Sequence, residues 1–287
     1  MPLFDWLFKK SGSMQTAQVN GTELAYRDEG QAQPLLLIHA FPLSSAMWED
    51  QIDALATHFR VIAPDLRGFG VTARGSGAAN LDQHADDLAG LLDHLGIEKA
   101  TVAGLSMGGY IVFALLRRHR ARIERLILAD TRAGADSDEA KQGREKNARL
   151  AEAQGAGAIA EQMLLKLLSA SAPAALRDEV RKIIEANDRA GLAAALRAMA
   201  ARPDSTPLLA TIGVPTLIIV GGEDELTPPS ESRAMHAAIV GSQLVELAGV
   251  GHLSNVEAPD AFSAAIEEFM LGRQALGRAG GGLAGEW

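Results

Sequence analysis

At 287 residues, with 47% hydrophobic and 22% charged side chains, the chain can bury a large core and has the composition of an ordinary globular protein. Its formal net charge of −9 argues against nucleic acid or an anionic membrane as a partner. The absence of cysteine excludes disulfides, thiolate metal sites and cysteine nucleophiles together, and is compatible with a reducing cytoplasm, the expected compartment.

The first ten residues, Met1 to Lys10, are apolar but short, with Asp5 inside and both lysines at the end. A secretory signal carries its positive charges before the apolar stretch, so residues 1–13 read as a loosely packed amphipathic arm. A membrane-surface or homodimer contact through Trp6 and Phe8 is the alternative. No apolar run approaches the roughly 20 residues needed to span a bilayer.

Two strands are expected first, at 17–19 and 23–27, joined by Asn20-Gly21, a strong two-residue hairpin signal. Short runs of branched apolar residues follow at Leu35–Ile38, Val61–Ala63, Ala100–Ala103, Leu126–Leu128 and Thr216–Val220. They are continuous rather than alternating, the pattern of strands covered on both faces in a parallel sheet. Helical spacing fills the gaps at Met47–His58, Leu81–Leu95 and Gly108–His119. Strand and helix in alternation imply a mostly parallel, doubly wound α/β sheet with right-handed crossovers.

The alternation stops between residues 134 and 206. This stretch is rich in Ala, Leu and Arg and is punctuated by Pro173, Gly191 and Pro203. We read it as a helical cap inserted between two parts of one core, 14–133 and 207–272. A last strand at Gln243–Leu247 and a last helix from Pro259 to Leu271 complete the core, and a Gly-rich tail covers 273–287.

The chemistry centres on Gly104-Leu105-Ser106-Met107-Gly108. A G-x-S-x-G match alone is weak. Here a buried-strand pattern runs into it and a helical pattern runs out, so the serine sits on a sharp turn with its hydroxyl exposed. A hydroxyl is a poor nucleophile until a base takes its proton. His252 follows Gly249-Val250-Gly251, after the last strand and before the last helix, where it can reach the carboxyl end of the sheet. The acid should follow the strand Thr216–Val220, where Glu223, Asp224 and Glu225 compete; Asp130, after Leu126–Leu128, is a rival. A tetrahedral intermediate needs two backbone N–H donors, expected from Met107 and from Phe41 in the loop His39-Ala40-Phe41-Pro42. His39 reads as a structural residue pinning that loop. Leu226 and Leu253, beside the candidate residues, are expected to line an apolar pocket.

These motifs are similar to a known family. His39-Ala-Phe-Pro-Leu43 with Trp48, Asp65-Leu-Arg-Gly-Phe-Gly70 and Gly104-Leu-Ser-Met-Gly-Gly109 resemble the α/β-hydrolase superfamily. Asp224-Glu-Leu-Thr-Pro-Pro229 and Gly251-His-Leu-Ser-Asn255 resemble its 3-oxoadipate enol-lactonase branch, and the His39 loop is also similar to cofactor-free haloperoxidases and carboxylesterases. The resemblance selects Asp224 as the acid of a triad with Ser106 and His252. It covers about residues 17–133 and 207–271, not the cap. Ala40 stands where the family usually has Gly, and Thr72 where it often has Ser.

The resemblance implies a carboxylesterase acting on small-molecule esters or lactones through an acyl-enzyme, without metal or cofactor. An enol-lactonase of the 3-oxoadipate type, a perhydrolase or haloperoxidase, and a carbon–carbon bond hydrolase on the same triad are the alternatives within the class. A non-catalytic ligand-binding module is the alternative outside it.

Overall fold

A computed structural model describes residues 13–75 and 80–272. Of the expected arm only Ser13 is described; the rest of the arm, with Trp6 and Phe8, and the tail lie outside the described residues. The chain opens with β1 (Gln15–Val19) and β2 (Thr22–Glu29). Between them Asn20 and Gly21 have φ of 43° and 76°, the left-handed conformation that a two-residue hairpin with native twist requires. Then come β3 (Pro34–Ile38), α1 (Glu49–Leu55), β4 (Arg60–Pro64), α2 (Leu81–His94), β5 (Ala100–Leu105), α3 (Met107–Arg118) and β6 (Ile123–Ala129). Four helices follow in one block: α4 (Asp138–Gln154), α5 (Ala156–Leu167), α6 (Ala174–Glu185) and α7 (Arg189–Ala200). A short turn, α8 (Thr206–Leu209), leads to β7 (Thr216–Gly221), α9 (Pro229–Ala238), β8 (Gln243–Leu247), α10 (Ser254–Glu257) and α11 (Pro259–Met270).

The eight strands form one sheet in the order β1-β2-β4-β3-β5-β6-β7-β8. β1 and β2 form the antiparallel edge, and every pairing from β4 onward is parallel. Successive side chains of a strand point to opposite faces, and both faces are covered. Leu36, Ile38, Val102, Leu126 and Leu128 pack with α2, α3 and α9 on one side. Leu35, Leu37, Ala103, Ile127 and Ile219 pack with α1 and α11 on the other. This explains the continuous apolar runs: neither face of a central strand meets water.

The helix expected over Met47–His58 is shorter. Residues Ser45–Trp48 form a 3-10 turn and α1 ends at Leu55. The amides of His58 and Phe59 both turn back to the Leu55 carbonyl, closing a turn that delivers Arg60 to β4. Trp48 is fully buried, its ring 5.9 Å from that of Phe262 on α11.

The inserted helices α4–α7 leave from the carboxyl end of β6 and return to β7, so they lie over the end of the sheet where the loops after β3, β5 and β7 converge. α4 packs on α7, where small side chains (Ala148, Ala151, Ala193 and Ala195) allow close approach. α5 packs on α6, with Ala160, Leu164 and Leu167 of the one and Val180, Ile183 and Ile184 of the other in a single apolar cluster. Among the contacts that tie this block to the core are two at the loops after β3 and β4. Asn187 donates from Nδ2 to the Pro42 carbonyl at 2.8 Å and accepts at Oδ1 from the Gly70 amide at 2.7 Å. Gly191 of α7 lies against Gly68 so closely that a methyl on either residue would collide with the other's backbone.

Candidate active site

β5 and α3 meet at Ser106, whose φ of 56° and ψ of −112° are strained for a residue with a side chain. Such a conformation costs on the order of 1–3 kcal/mol and persists only where its surroundings over-determine it. Here they do. The Ser106 amide donates to the Ala129 carbonyl at 2.9 Å, and its carbonyl accepts from the Thr131 hydroxyl at 2.8 Å. Gly108 is required because a methyl there would strike the Ile38 carbonyl oxygen, and Gly104 because a methyl would strike the backbone of Gly108. The elbow and the end of β3 are thus in direct contact.

Three residues distant in sequence meet at this elbow. His252, at the turn after β8, has Nε2 2.8 Å from Ser106 Oγ and Nδ1 2.8 Å from Asp224 Oδ2. Asp224 Oδ1 accepts from the amides of Leu226 and Thr227 at 2.8 and 2.9 Å, and Oδ2 also accepts from the Thr227 hydroxyl at 2.6 Å. Asp224 is buried, whereas Glu223 and Glu225 are exposed. The short Asp side chain folds back on its own turn, which aims it inward. Thr227, also 3.4 Å from His252 Nδ1, is a residue that sequence reasoning missed.

The electrostatics fit a base that is held, not free. Burial works against the imidazolium of His252, but the Asp224 charge and hydrogen bond, together with Asp130, outweigh it and raise the histidine above its ordinary value. Burial likewise opposes the Asp224 carboxylate, and His252 and the Thr227 hydrogen bonds overcome that, leaving Asp224 below its ordinary value.

Asp130, the rival acid, is turned elsewhere. Its oxygens accept from the Gly221 amide at 2.8 Å and from the Ser254 hydroxyl in a short hydrogen bond. Burial, reinforced by the Asp224 charge, pushes it up to about 7 despite the opposing influence of His252. Two results are expected of Asp130→Asn, whose new side chain tolerates the positive φ of 43° at this position. Loss of a negative charge near the imidazolium moves the acid limb of the pH–rate profile to lower pH. Stability also changes its pH dependence. Because the folded carboxyl ionises near 7 and the unfolded one near 3.8, the folded state holds the extra proton between those values, and this group lowers stability as pH rises across that window. The Asn variant should lack that slope, which thermal melts from pH 4 to 8 would read.

The remaining expected residues divide. Phe41 and Leu226 line a cavity of about 180 Å³ that also holds Ser106, Thr227 and His252. Leu253, expected at the pocket, is not among its lining residues. It is fully buried in the apolar cluster with Phe262 and Ile266, because its amide is drawn to the Leu167 carbonyl at 2.9 Å. Met107 is fully buried as the first residue of α3. His39 accepts at Nε2 from the Leu66 amide at 3.1 Å, and its Nδ1 lies 3.0 Å from the Ala40 carbonyl, so the ring is neutral with its proton on Nδ1. Burial pushes it down to about 3. Ala40 is fully buried, and Thr72 accepts from the Ala25 amide at 2.9 Å, tying the Asp65–Gly70 loop to β2.

The cavity wall also holds residues that sequence reasoning did not single out: Tyr110 of α3, Arg132 after β6, and Arg144, Met163 and Met199 of the inserted helices. Among the described residues no helix is long and apolar enough to cross a membrane, and no cluster of three His, Asp or Glu could hold a metal.

The alpha/beta hydrolase fold model matches residues 33–259. The chain is 32% identical over 278 residues to 3-oxoadipate enol-lactonase 2 of Acinetobacter baylyi, covering 94% of this chain and 98% of that protein. Among solved structures it is similar to a thermophilic esterase from Thermogutta terrifontis, with 42% identity, a TM-score of 0.88 and coverage of 91% and 99%. It is also similar to the enol-lactonase from Burkholderia xenovorans, with 35% identity, a TM-score of 0.83 and coverage of 90% and 100%. With an eight-stranded sheet, an inserted helical block and a hydrogen-bonded Ser106–His252–Asp224 arrangement, the chain belongs to the alpha/beta hydrolase fold family.

Proposed function

We propose that the protein is a serine hydrolase that cleaves carboxylic esters of small molecules through an acyl-enzyme. The observation that carries this reading is the continuous relay Ser106 Oγ–His252–Asp224, with both links at 2.8 Å. Ser106 Oγ attacks the ester carbonyl as His252 Nε2 takes its proton. Asp224 keeps the other proton on Nδ1 and stabilises the imidazolium that forms. The carbonyl electrons move onto oxygen, for which the amides of Phe41 and Met107 are the donors. Met107 opens α3, so its N–H has no acceptor within the helix. Phe41 follows β3, whose end lies against the elbow. The intermediate collapses, His252 returns its proton to the leaving alcohol, and an activated water repeats the sequence to release the acid.

A lactone is the second reading. It is the same chemistry with the alcohol tethered to the acyl group, and the near full-length similarity to two enol-lactonases favours it.

Hydrolysis of p-nitrophenyl acetate, butyrate, octanoate and laurate tests the proposal. A cavity of about 180 Å³ leads us to expect rapid turnover of acetate and butyrate and poor turnover of laurate. No turnover of any ester or lactone above background, with no labelling of Ser106 by a fluorophosphonate, would sink it.

A further inference from the structure

His252 spends both ring nitrogens on Ser106 and Asp224, so its place is fixed by the backbone on either side of it. On one side the Leu253 amide donates to the Leu167 carbonyl at 2.9 Å. On the other the Gly251 amide donates to Glu257 Oε1 at 2.9 Å. Glu257, at the end of α10, carries the connection further. Its Oε1 also accepts from the Ser169 amide at 3.0 Å, and its Oε2 from the Ser169 hydroxyl at 2.5 Å. Leu167 ends α5, and Ser169 lies in the link to α6. Both chain neighbours of His252 are thus held by the inserted block.

The link is itself braced. Arg177 of α6 donates from Nη2 to the Ser169 carbonyl at 2.7 Å and from Nε to the Ala172 carbonyl at 3.2 Å. Packing leaves no slack. A methyl on Gly251 would come within 2.5 Å of the Ser169 amide nitrogen, and a methyl on Gly221 within 2.0 Å of the Gly251 carbonyl oxygen. The peptide before His252 is therefore sandwiched between the end of β7, whose following turn carries Asp224, and the inserted block. Without the outer layer, the histidine loop is free to lift away from Asp224 and Ser106.

We propose that Glu257 is a positioning residue for His252: by tying the Gly251 amide to Ser169, it fastens the inserted block to the histidine loop and holds the imidazole in line between Asp224 and Ser106. The inference rests on the serine-hydrolase reading above. A displacement on the order of 1 Å at a reacting group can cost about 10²-fold in rate. The effect falls on rate and not on substrate affinity, because neither Glu257 nor Ser169 lines the Ser106 cavity. The anchor needs acceptors rather than charge. In Glu257→Gln the side-chain oxygen can accept from both amides, and the NH₂ can donate to the Ser169 hydroxyl, whose own proton turns to Ser171 Oγ, 3.1 Å away. Glu257→Ala strips both amides of this acceptor.

The test reads kcat and KM for p-nitrophenyl butyrate per site titrated with fluorophosphonate, together with the downfield proton resonance of the His252 Nδ1–H held by Asp224. Glu257→Ala should lower kcat by about 10- to 100-fold with KM within about threefold, and should broaden that resonance or move it upfield. Glu257→Gln should recover most of the rate and the resonance. A purely structural role would lower the melting temperature and the number of titrated sites while leaving kcat per site and the resonance as in the wild type; that result overturns the proposal. A Gln variant as impaired as the Ala variant also overturns it. Should Glu257→Ala fail to fold, Ser169→Ala decides from the side of the inserted block: kcat per site should fall by about two- to fivefold with the resonance displaced, and wild-type values of both overturn the anchor. Failure of the underlying reading looks different, since the wild type would then turn over no ester and take no fluorophosphonate. The resonance, which needs only Asp224 and His252, then decides the positioning separately: displacement in Glu257→Ala supports it, and no change overturns it.

Discussion

Ser106→Ala should lower kcat for a p-nitrophenyl ester by about 10⁴- to 10⁶-fold, with KM changed by less than about threefold. The hydroxyl is the only atom removed. In the strained elbow, Ala has the same backbone freedom as Ser, and the hydrogen bonds to the Ala129 carbonyl and from the Thr131 hydroxyl are made by the main chain of residue 106, so the fold should persist. What is lost is the covalent step. Residual hydrolysis would come from water in a cavity that still presents His252, with the proposed amide donors of Phe41 and Met107 unchanged. Rapid-mixing kinetics check this: the wild type should show an initial burst of p-nitrophenol if deacylation is slower than acylation, and the variant none. A variant retaining more than a few percent of wild-type kcat would remove Ser106 from the reaction.

Asp224→Asn should be almost as damaging, lowering kcat by about 10⁴-fold, the scale seen for the corresponding change in serine proteases. The reason lies in the donors around the carboxylate. Oδ1 receives the amides of Leu226 and Thr227, so an Asn must place its carbonyl there. Its NH₂ then occupies the Oδ2 position and faces His252 Nδ1. A donor at that place favours the tautomer with the proton on Nε2, which cannot accept from Ser106 Oγ. The Thr227 hydroxyl can rotate to accept, so the substitution changes the tautomer with little loss of packing. Loss of the Asp224 charge also removes the largest influence raising His252, so the acid limb of the pH–rate profile should move down. Both the low kcat and the shifted limb are read from one pH series. A variant that kept its rate would mean that another group, Asp130 foremost, orients His252.

The core was readable because its signal is local. The runs Leu35–Ile38 and Thr216–Val220 are apolar on both sides of the strand, and only a sheet covered on both faces uses such runs. Asn20-Gly21 was readable because few residue pairs accept two positive φ values in succession. The elbow was readable because Gly104 and Gly108 are demanded by backbone contacts immediately around Ser106. The length of α1 was not readable, because its apolar spacing continues past Leu55 although the hydrogen bonds do not.

The site divides in the same way. Ser106 and His252 were marked by the glycines and turns beside them in the chain. Among Glu223, Asp224 and Glu225 the resemblance alone selected Asp224; in the structure its burial and its back-folded turn set it apart from its two exposed neighbours. Leu253 carries no local sign that its amide pairs with Leu167 of the inserted block, 86 positions away in the chain, rather than turning toward the nucleophile. Arg132, Arg144 and Arg202 look like ordinary surface charges in and just before an Arg-rich helical segment, yet the fold gathers all three around Asp136. Residue type and near-neighbour spacing therefore established the sheet, the nucleophilic elbow and the histidine, since those depend on backbone sterics and solvent exclusion within a few residues. The acid was marked by the resemblance and not by its own position, and the pocket wall and its charge were decided only when distant segments packed together, because desolvation and charge balance are properties of three-dimensional neighbours and not of position along the chain.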